Sequence, residues 1–557
     1  MSHHHTHEHS HGQSHEQAVQ HRFAAPEPVR DTDVDVVVLG GGAAGLAAAK
    51  TLGRSRRRVL VLDAGEPRNA PAAGVHNYLA AEGTPPAELV ARGRAELAAY
   101  DVTVVDASAR TVRPEHGAGE EPRFTVVHGD GTETTARRVV VATGASDELP
   151  DVAGLRERWG RDVLHCPYCH GWEARGQRVA VLATSPMAAH QAQMWRQLTD
   201  SVTVVLQDEA FAPAGREAER LWSRGVLVAH DPAVEVVVED DRLTGLRLAS
   251  GEVVTCDAVV VGSVPHPRID ALADLGLVAE PVEMGGAVVA HRLPADPMTG
   301  LTAVTGVYAA GNVRDPMATV AASAAAGVQV GAVVNWDLIE AEGEQAAEHS
   351  RASVFGREAW EERYADREAT MWSGNVNAQL ATEAADLAPG RALDIGSGEG
   401  GDVLWLASRG WQVTGLEHAE AGIARASHRA EQAGLADRVT WRRLAVQDLT
   451  PGEDSFDLVT SHFLHLPDGG MVEVTRLLAS LVAPGGTLLV VGHHPDDLTG
   501  GPRHGLKEFM FTPEQLLPAL EGGPAWADVR AEVRDRTQQW DGQEIAVRDS
   551  VLVARRA

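Results

Sequence analysis

Two of the chain's three cysteines, Cys166 and Cys169, lie in His165-Cys-Pro-Tyr-Cys-His-Gly-Trp-Glu173. At C-x-x-C spacing two sulfurs close a small-ring disulfide, so the pair can take up and release two electrons. The thiolate is the nucleophile in such exchange, and the adjacent imidazole of His170 is placed to take its proton. The plain alternative for His170 is an ordinary turn histidine. The same residues also read as half a zinc site, with His165 and His170 as further ligands. A closed zinc site needs four ligands from this one turn or a second pair, and Cys256 alone is left over. Redox chemistry is the favoured reading. Cys256 sits in an apolar run, Thr255-Cys-Asp-Ala-Val-Val-Val261, and reads as a core residue.

The elements that would position this pair begin far upstream. Residues 34–39, Val-Asp-Val-Val-Val-Leu, predict a buried strand. Gly40-Gly41-Gly42-Ala43-Ala44-Gly45 follows, then an Ala-rich helix to about residue 53, then a strand Val59–Leu62 ending at Asp63. This is strand, G-x-G-x-x-G, helix, strand, acid: a dinucleotide-binding fingerprint. Gly40 permits the tight turn, Gly42 lets backbone approach a pyrophosphate, and Gly45 lets helix and strand pack closely. The helix N-terminus faces the phosphates, and Asp63 takes the adenosine ribose hydroxyls. Further on, Val139–Val141 runs into Ala142-Thr143-Gly144, and Gly306-Val-Tyr-Ala-Ala-Gly311-Asn312 opens a long Ala/Gly helix to about Ile339.

Taken in order, the glycine loop, Ala142-Thr143-Gly144, the Cys166/Cys169 pair and Ala310-Gly311-Asn312 resemble the thioredoxin reductase family of flavoproteins. The resemblance implies an FAD-binding domain in two segments, residues 31–155 and 262–339. A smaller NAD(P)-type domain, residues 156–261, sits between them and carries the cysteines. It also implies FAD contacts from Thr143, Gly144, Gly311 and Asn312, the last replacing the family's usual aspartate. A homodimer is expected on the same ground, with a small-molecule thiol or disulfide, or a thioredoxin-like protein, as partner.

The inserted domain departs from that family. After its first strand the chain has Ala183-Thr184-Ser185-Pro186-Met187-Ala188 where a glycine loop belongs. Side chains at 183 and 185 crowd the pyrophosphate position, and Pro186 removes a donor. The next strand ends in Gln207-Asp208-Glu209, acidic where a 2′-phosphate wants arginine. NADPH is therefore a doubtful electron donor. The run Cys-Pro-Tyr-Cys-His-Gly is similar to the dithiol-oxidase branch of the family, of gliotoxin- and holomycin-type pathways. By that resemblance Cys166 exchanges with substrate, Cys169 faces the flavin, His170 is the base, and oxygen takes the electrons.

A second fingerprint lies at 391–400, Arg-Ala-Leu-Asp-Ile-Gly-Ser-Gly-Glu-Gly, with a helix at 401–409 and a strand 412–416 ending in Glu417. The D-x-G-x-G-x-G form resembles motif I of class I S-adenosylmethionine (SAM) methyltransferases. The resemblance implies that Asp394 with Gly396, Gly398 and Gly400 holds the methionine part, that Glu417 takes the ribose hydroxyls, and that Asp448 meets the adenine. Runs near 527–533 and 549–555 predict a closing antiparallel hairpin. His462 and His465 follow an expected strand at 456–460, and His493, His494 and Asp496 follow one at 487–491; they read either as acceptor-side bases or metal ligands, or as surface histidines in a His-rich chain.

The totals frame these pieces. A chain of 557 residues needs two or three cores. Three cysteines exclude a disulfide scaffold, no apolar run spans a membrane, and a cytoplasmic protein is expected. A net charge of −29 argues against nucleic acid. Lysine occurs only at 50 and 507, which points to a GC-rich bacterial genome. Residues 1–30 carry eight histidines among polar residues and read as a disordered tail with metal affinity. Residues 340–359 read as a solvated helical linker before a methyltransferase domain at 360–557. Trp360, Tyr364 and Trp372 either lid a ligand or pack the first helix.

The expected fold class is α/β, a flavoprotein with two dinucleotide-binding domains followed by a Rossmann-like class I methyltransferase. The expected function is FAD-dependent thiol/disulfide exchange through Cys166 and Cys169, joined to SAM-dependent methyl transfer, with sulfur as the common chemistry. Its rivals are an NADPH-dependent disulfide reductase, a metal or metalloid handling protein, and a redox sensor that does not turn over.

Overall fold

The structure is a computed structural model that describes residues 32–115, 121–365, 374–450, 454–466, 470–496, 509–540 and 543–557. The His-rich tail and Trp372 lie outside the described residues. The chain divides into two compact units with the boundary between Gly343 and Glu344.

The first unit is built on two main sheets, with a three-stranded and two two-stranded antiparallel sheets beside them among the described residues. In the larger one Thr103–Asp106, Val59–Asp63, Val34–Leu39 and Glu133–Val141 run parallel in that order. The end of Glu133–Val141 also pairs in parallel with Val307–Ala309, and its beginning pairs antiparallel with Phe124–His128. The β-branched strands Val34–Leu39 and Val59–Asp63 are covered on both faces, as parallel strands require. The smaller sheet is wholly parallel, in the order Leu227–Ala229, Val202–Leu206, Val179–Ala183, Ala258–Val261, Val163–Leu164. Two short antiparallel strands, Ala145–Glu148 and Val264–Pro267, carry the chain out of the first sheet and back.

The helix that opens after Asn312 does not stop near Ile339. It runs as one element from Val320 to Phe355, through the residues read as a linker. Its middle is anchored to the flavoprotein sheet. Arg138, 1% exposed, donates from Nε and Nη2 to Asp337 at 2.5 and 3.1 Å, and the Tyr308 hydroxyl donates to the same carboxylate at 2.6 Å. A buried guanidinium needs such a partner, and this one ties the helix down.

The second unit is one seven-stranded sheet, in the order Val439–Arg443, Gln412–Glu417, Arg391–Ile395, Phe456–His462, Val482–His493, Gln543–Arg556, Trp526–Trp540. The first five strands are parallel, and the last two form a long antiparallel hairpin. Apolar clusters cover both faces. Because the five strands share a direction, the loops after Ile395, Glu417, Arg443, His462 and His493 emerge along one edge of the sheet.

Candidate active sites

A cleft of about 1530 Å³ opens in the first unit. Gly40–Gly42, Asp63, Thr143, Gly144, Asn312, Cys166, Cys169 and His170 all line it. The cysteine pair and the glycine loop, far apart in the chain, therefore face one space.

The glycine loop fits a dinucleotide. Gly40 has φ +102°, and a Cβ there would lie 2.4 Å from the Ala142 carbonyl oxygen. A Cβ on Gly45 would lie 1.8 Å from the Gly40 oxygen, whereas one on Gly42 would meet nothing within 4 Å. Gly42, the N-cap of helix Ala43–Arg54, thus leaves open space where a pyrophosphate would sit. Asp63 is engaged already. Burial would raise its pKa, but hydrogen bonds from Arg94 and from the Gly41 and Gly65 amides outweigh that and hold it below the usual carboxylate range. Arg94, which also donates to Asp106 at 2.7 Å, carries no local motif and escapes sequence reading. Gly311 has φ +76° and sits against Ala44, so the two halves of the flavoprotein domain meet at the head of this helix. Thr143 donates to the Arg268 carbonyl at 2.6 Å, and the Arg268 amide donates to Gly144 at 3.1 Å. These bonds join the outgoing and returning connections. Asn312 spends its amide nitrogen on its own loop, donating to the carbonyls of Asp315 and Ala318 at 3.1 and 3.0 Å. Only its amide oxygen is left for a ligand hydroxyl.

The cysteines occupy a single helical turn, Pro167–His170, with Cys166 as its N-cap, and both are free thiols. The hydrogen bond from Cys169 brings the Cys166 thiol down to about 6, with amide hydrogen bonds helping. The same interaction, with burial, pushes Cys169 up. Cys166 is therefore the thiolate and Cys169 the proton-bearing partner. Burial lowers the His170 pKa, and the nearby His76 and His165 add to this. A neutral imidazole is a competent proton acceptor. His165 Nδ1 donates to the Val261 carbonyl at 2.9 Å.

Two supports of this turn were not legible in the sequence. The Asn77 amide nitrogen donates to the Tyr168 carbonyl at 2.7 Å, and Asn77 has φ +58°. Arg68 pairs with Asp147 beside the cysteines and lowers the pKa of Cys169 against the stronger opposing effects.

In the inserted domain, helix Ala188–Trp195 starts after Ala183–Met187 with no side-chain cap. Asp208 accepts from the Ala210 amide at 2.8 Å, and Glu209 lies 2.9 Å from His230. The acidic residues expected at the end of Val202–Leu206 are in place there. Cys256 is 1% exposed, and burial pushes its thiol up to about 12.

In the second unit Gly396, Gly398 and Gly400 have φ +72°, +50° and +79°. A Cβ on Gly400 would press to 2.7 Å on Trp441. The Glu417 carboxylate accepts from the amides of Gly398, His418 and Ala419 at 3.0, 2.9 and 2.9 Å. Asp448 ends the turn Val446–Asp448 on the same edge of the sheet, exposed. The buried Ser397 hydroxyl has no partner, and with the three glycines it makes a cradle that suits the methionine part of SAM. Tyr364 is buried against Gly422, so it packs the unit.

The histidines on this edge are enclosed to different degrees, with His465 and His493 half-buried. His462 and His494 are buried. His465 is held by the Phe509 carbonyl at 2.9 Å and by the His493 amide, which donates to its Nε2 at 3.3 Å. A carbonyl on Nδ1 and an N–H on Nε2 leave room for only the neutral Nδ1–H tautomer. His493 stacks between Phe463 and His465, at 4.5 and 5.1 Å between centroids.

Residues 34–327 match the pyridine nucleotide-disulphide oxidoreductase family, and residues 392–486 match a methyltransferase domain. The chain is similar to the thioredoxin reductase sirT of Leptosphaeria maculans, 29% identical over 55% of this chain and 95% of that protein. It spans only 37% of the "Probable thioredoxin reductase" of Arthroderma benhamiae, using 27% of its own length at 38% identity. The solved structure of HlmI matches at 41% identity over 58% of this chain and 97% of that one, with a TM-score of 0.52. The oxidoreductase from Agrobacterium tumefaciens matches at 32% identity over 55% and 99%, with a TM-score of 0.50. The curated relatives are mostly fungal, so the bacterial origin read from base composition is without support. No helix among the described residues is long and apolar enough to cross a membrane. The family implies FAD, the second domain implies SAM, and the chain belongs to the pyridine nucleotide-disulphide oxidoreductases, extended by a methyltransferase domain.

Proposed function

We propose that the flavoprotein module oxidises small dithiols and that the methyltransferase module methylates a thiol. The supporting observation is the shared cleft, in which an asymmetric cysteine pair faces the same space as the glycine loop. With the pair as a disulfide, a substrate thiolate attacks Cys166 Sγ and displaces Cys169, and the second substrate thiolate then displaces Cys166. The product is the substrate disulfide, two electrons remain on the cysteines, and His170 accepts a proton released from substrate thiol. Bound FAD would supply the route by which those electrons reach dioxygen, giving hydrogen peroxide. The side chains of Ala183, Ser185 and Pro186, with Asp208 and Glu209 beyond, disfavour NADPH as the source of electrons.

SAM would supply an electrophilic methyl group in the second unit, where the glycine loop and Glu417 bind and orient it. Thiol as the acceptor is part of the same proposal, chosen because the first module handles thiols. A cytoplasmic location and a homodimer are also proposed, the dimer supported by Trp336 and Ile339, exposed on the long helix.

Anaerobic bleaching of the flavin absorbance tests the direction of flow. Bleaching by a small dithiol and not by NADPH, with colour restored by air and lost in Cys166→Ser, is the expected result. Rapid bleaching by NADPH would instead make the module a disulfide reductase, in line with the name thioredoxin reductase that its fungal relatives carry.

A further inference from the structure

The second unit gathers three metal-type donors around the two ends of its glycine loop. Asp394 lies in Arg391–Ile395, just before the loop, and Asp402 in the first turn of helix Gly401–Ser408, just after it. His462 ends Phe456–His462, the strand that pairs with Arg391–Ile395. His462 Nδ1 stands 2.9 Å from Asp402 Oδ2 and 3.7 Å from Asp394 Oδ1, and one donor atom from each of the three residues lies within 4.8 Å of the others. In a tetrahedral or octahedral shell with metal–ligand bonds of about 2.1 Å, neighbouring donors lie about 3.0–3.4 Å apart. Both imidazole–carboxylate spacings lie close to that range.

No lysine or arginine among the described residues pairs with Asp394 or Asp402. Each carboxylate has one neutral donor, the Thr460 hydroxyl to Asp394 Oδ1 at 2.7 Å and the Asn377 amide to Asp402 Oδ1 at 2.6 Å. These bonds orient both carboxylates and leave Asp402 Oδ2 turned to the imidazole. The His462 and Asp394 side chains are 5% and 4% exposed. Neither ring nitrogen of His462 makes a hydrogen bond, so its 2.9 Å approach to Asp402 is a contact without hydrogen-bond geometry. Unpaired polar atoms and uncompensated charge are costly in an interior. A divalent cation held by Nδ1 and the two carboxylates removes that cost, because two negative charges then meet two positive ones. The ring proton then sits on Nε2. Asp549 Oδ1 is also buried without a partner and the Asp549 charge reaches His462. A carboxylate near the free nitrogen is the usual means of orienting a metal-bound imidazole.

We propose that Asp394, Asp402 and His462 bind a divalent transition cation, Zn²⁺ in preference to Mn²⁺. One imidazole nitrogen with two carboxylate oxygens suits these ions, whereas Mg²⁺ and Ca²⁺ take all-oxygen shells. Zn²⁺ leads because affinity at a mixed nitrogen and oxygen site rises from Mn²⁺ to Zn²⁺. The cation ties together the strand before the glycine loop, the helix after it and the neighbouring strand, so both ends of the loop are held. Asp394 is then a cation ligand and not a direct contact of the methyl donor, whose methionine part is left to Ser397 and the three glycines.

The test uses the full chain, stripped with a chelator and titrated with Zn²⁺ by calorimetry. The His-rich tail and the cysteine pair can also take up Zn²⁺, and they do so equally in parent and variants. Asp402→Asn is the first variant, because its side-chain oxygen still accepts from the Asn377 amide while the anionic Oδ2 is lost. His462→Gln is the second. Each is expected to bind one Zn²⁺ fewer than the parent. Zn²⁺ is also expected to slow amide hydrogen exchange across residues 394–402 in the parent, a local effect that metal on the tail does not produce. This second measurement decides the matter should neither variant fold. Equal Zn²⁺ stoichiometry in parent and variants would overturn the proposal. So would exchange at 394–402 that Zn²⁺ leaves unchanged, or that Mg²⁺ slows as well as Zn²⁺ does at equal concentration. Zn²⁺ uptake at this site in a protein that binds no SAM would uphold the proposal and remove the methyltransferase reading.

Discussion

Arg68 grips Asp147 with two parallel hydrogen bonds, Nε to Oδ2 at 2.8 Å and Nη2 to Oδ1 at 2.6 Å, on the wall of the cleft that holds Cys169. Burial would raise the Asp147 pKa, but Arg68 and the Ser263 hydroxyl outweigh it and lower it. The stability this adds is complete above the unfolded carboxylate pKa, near 4, and is lost as pH falls through the lower folded value. Arg68→Met leaves a buried carboxylate with one hydroxyl donor. Because Arg68 is itself partly exposed, the expected cost is about 2 kcal/mol, below the range for breaking a fully buried pair. Urea titration at neutral pH measures it. A variant as stable as the parent would show that the pair carries no net weight.

The cysteine pair should titrate asymmetrically. In the reduced protein, Cys166 alkylation by iodoacetamide is expected to be half-maximal near pH 6, where its thiol is held. The hydrogen bond from Cys169 is the leading cause, so Cys169→Ala should move that midpoint toward the free-thiol value of about 8.5. Cys169 should resist alkylation across the same range. Equal reactivity of the two thiols would contradict the assignment of Cys166 as the exchanging sulfur.

Two glycines of one loop should fail differently. Gly42→Ala adds a methyl group to open space, so the apoprotein is expected to keep its stability within about 0.5 kcal/mol while flavin content falls. Gly45→Ala drives a methyl group into the Gly40 carbonyl, and overpacking of this kind costs about 1–3 kcal/mol or more with or without cofactor. Thermal melts of apo and flavin-loaded protein separate the two. Equal apoprotein losses would remove the argument that Gly42 faces the pyrophosphate.

Asn77 positions the cysteine turn through the Tyr168 carbonyl. Asn77→Ala removes that bond and places alanine at φ +58°, together worth about 2 kcal/mol. Asn77→Gly removes the bond but keeps the conformation cheap. Both variants should retain flavin and slow dithiol-dependent bleaching, the alanine variant being the less stable. Unchanged bleaching rates in both would show that the contact does not position the pair.

Each glycine loop, with the acid that follows it, was legible because one βαβ unit contains its own signals. Strand, turn, helix and acid are neighbours in the chain, and their geometry is dictated by backbone sterics and helix ends. The same locality made the Cys166–Cys169 spacing and the closing hairpin of the second unit readable, as well as the missing loop at Ala183–Met187. Residues 340–359, read as a helical linker, are helical as far as Phe355, and what local pattern did not mark is that no break separates them from the helix before. The helix past Ile339 continues to Phe355 because Ala- and Glu-rich sequence favours helix whether or not a domain boundary falls within it.

What tertiary structure alone decided was which distant groups share a space. Arg94 claims Asp63, Asn77 holds Tyr168, and Arg68 faces Cys169, through packing between segments that no spacing rule connects. His462 is the sharpest case. By sequence it was one of several histidines past the strands at 456–460 and 487–491, as suited to the surface as to chemistry. The fold buries it beside Asp402 and Asp394, whose negative charge outweighs the burial that would otherwise lower its pKa.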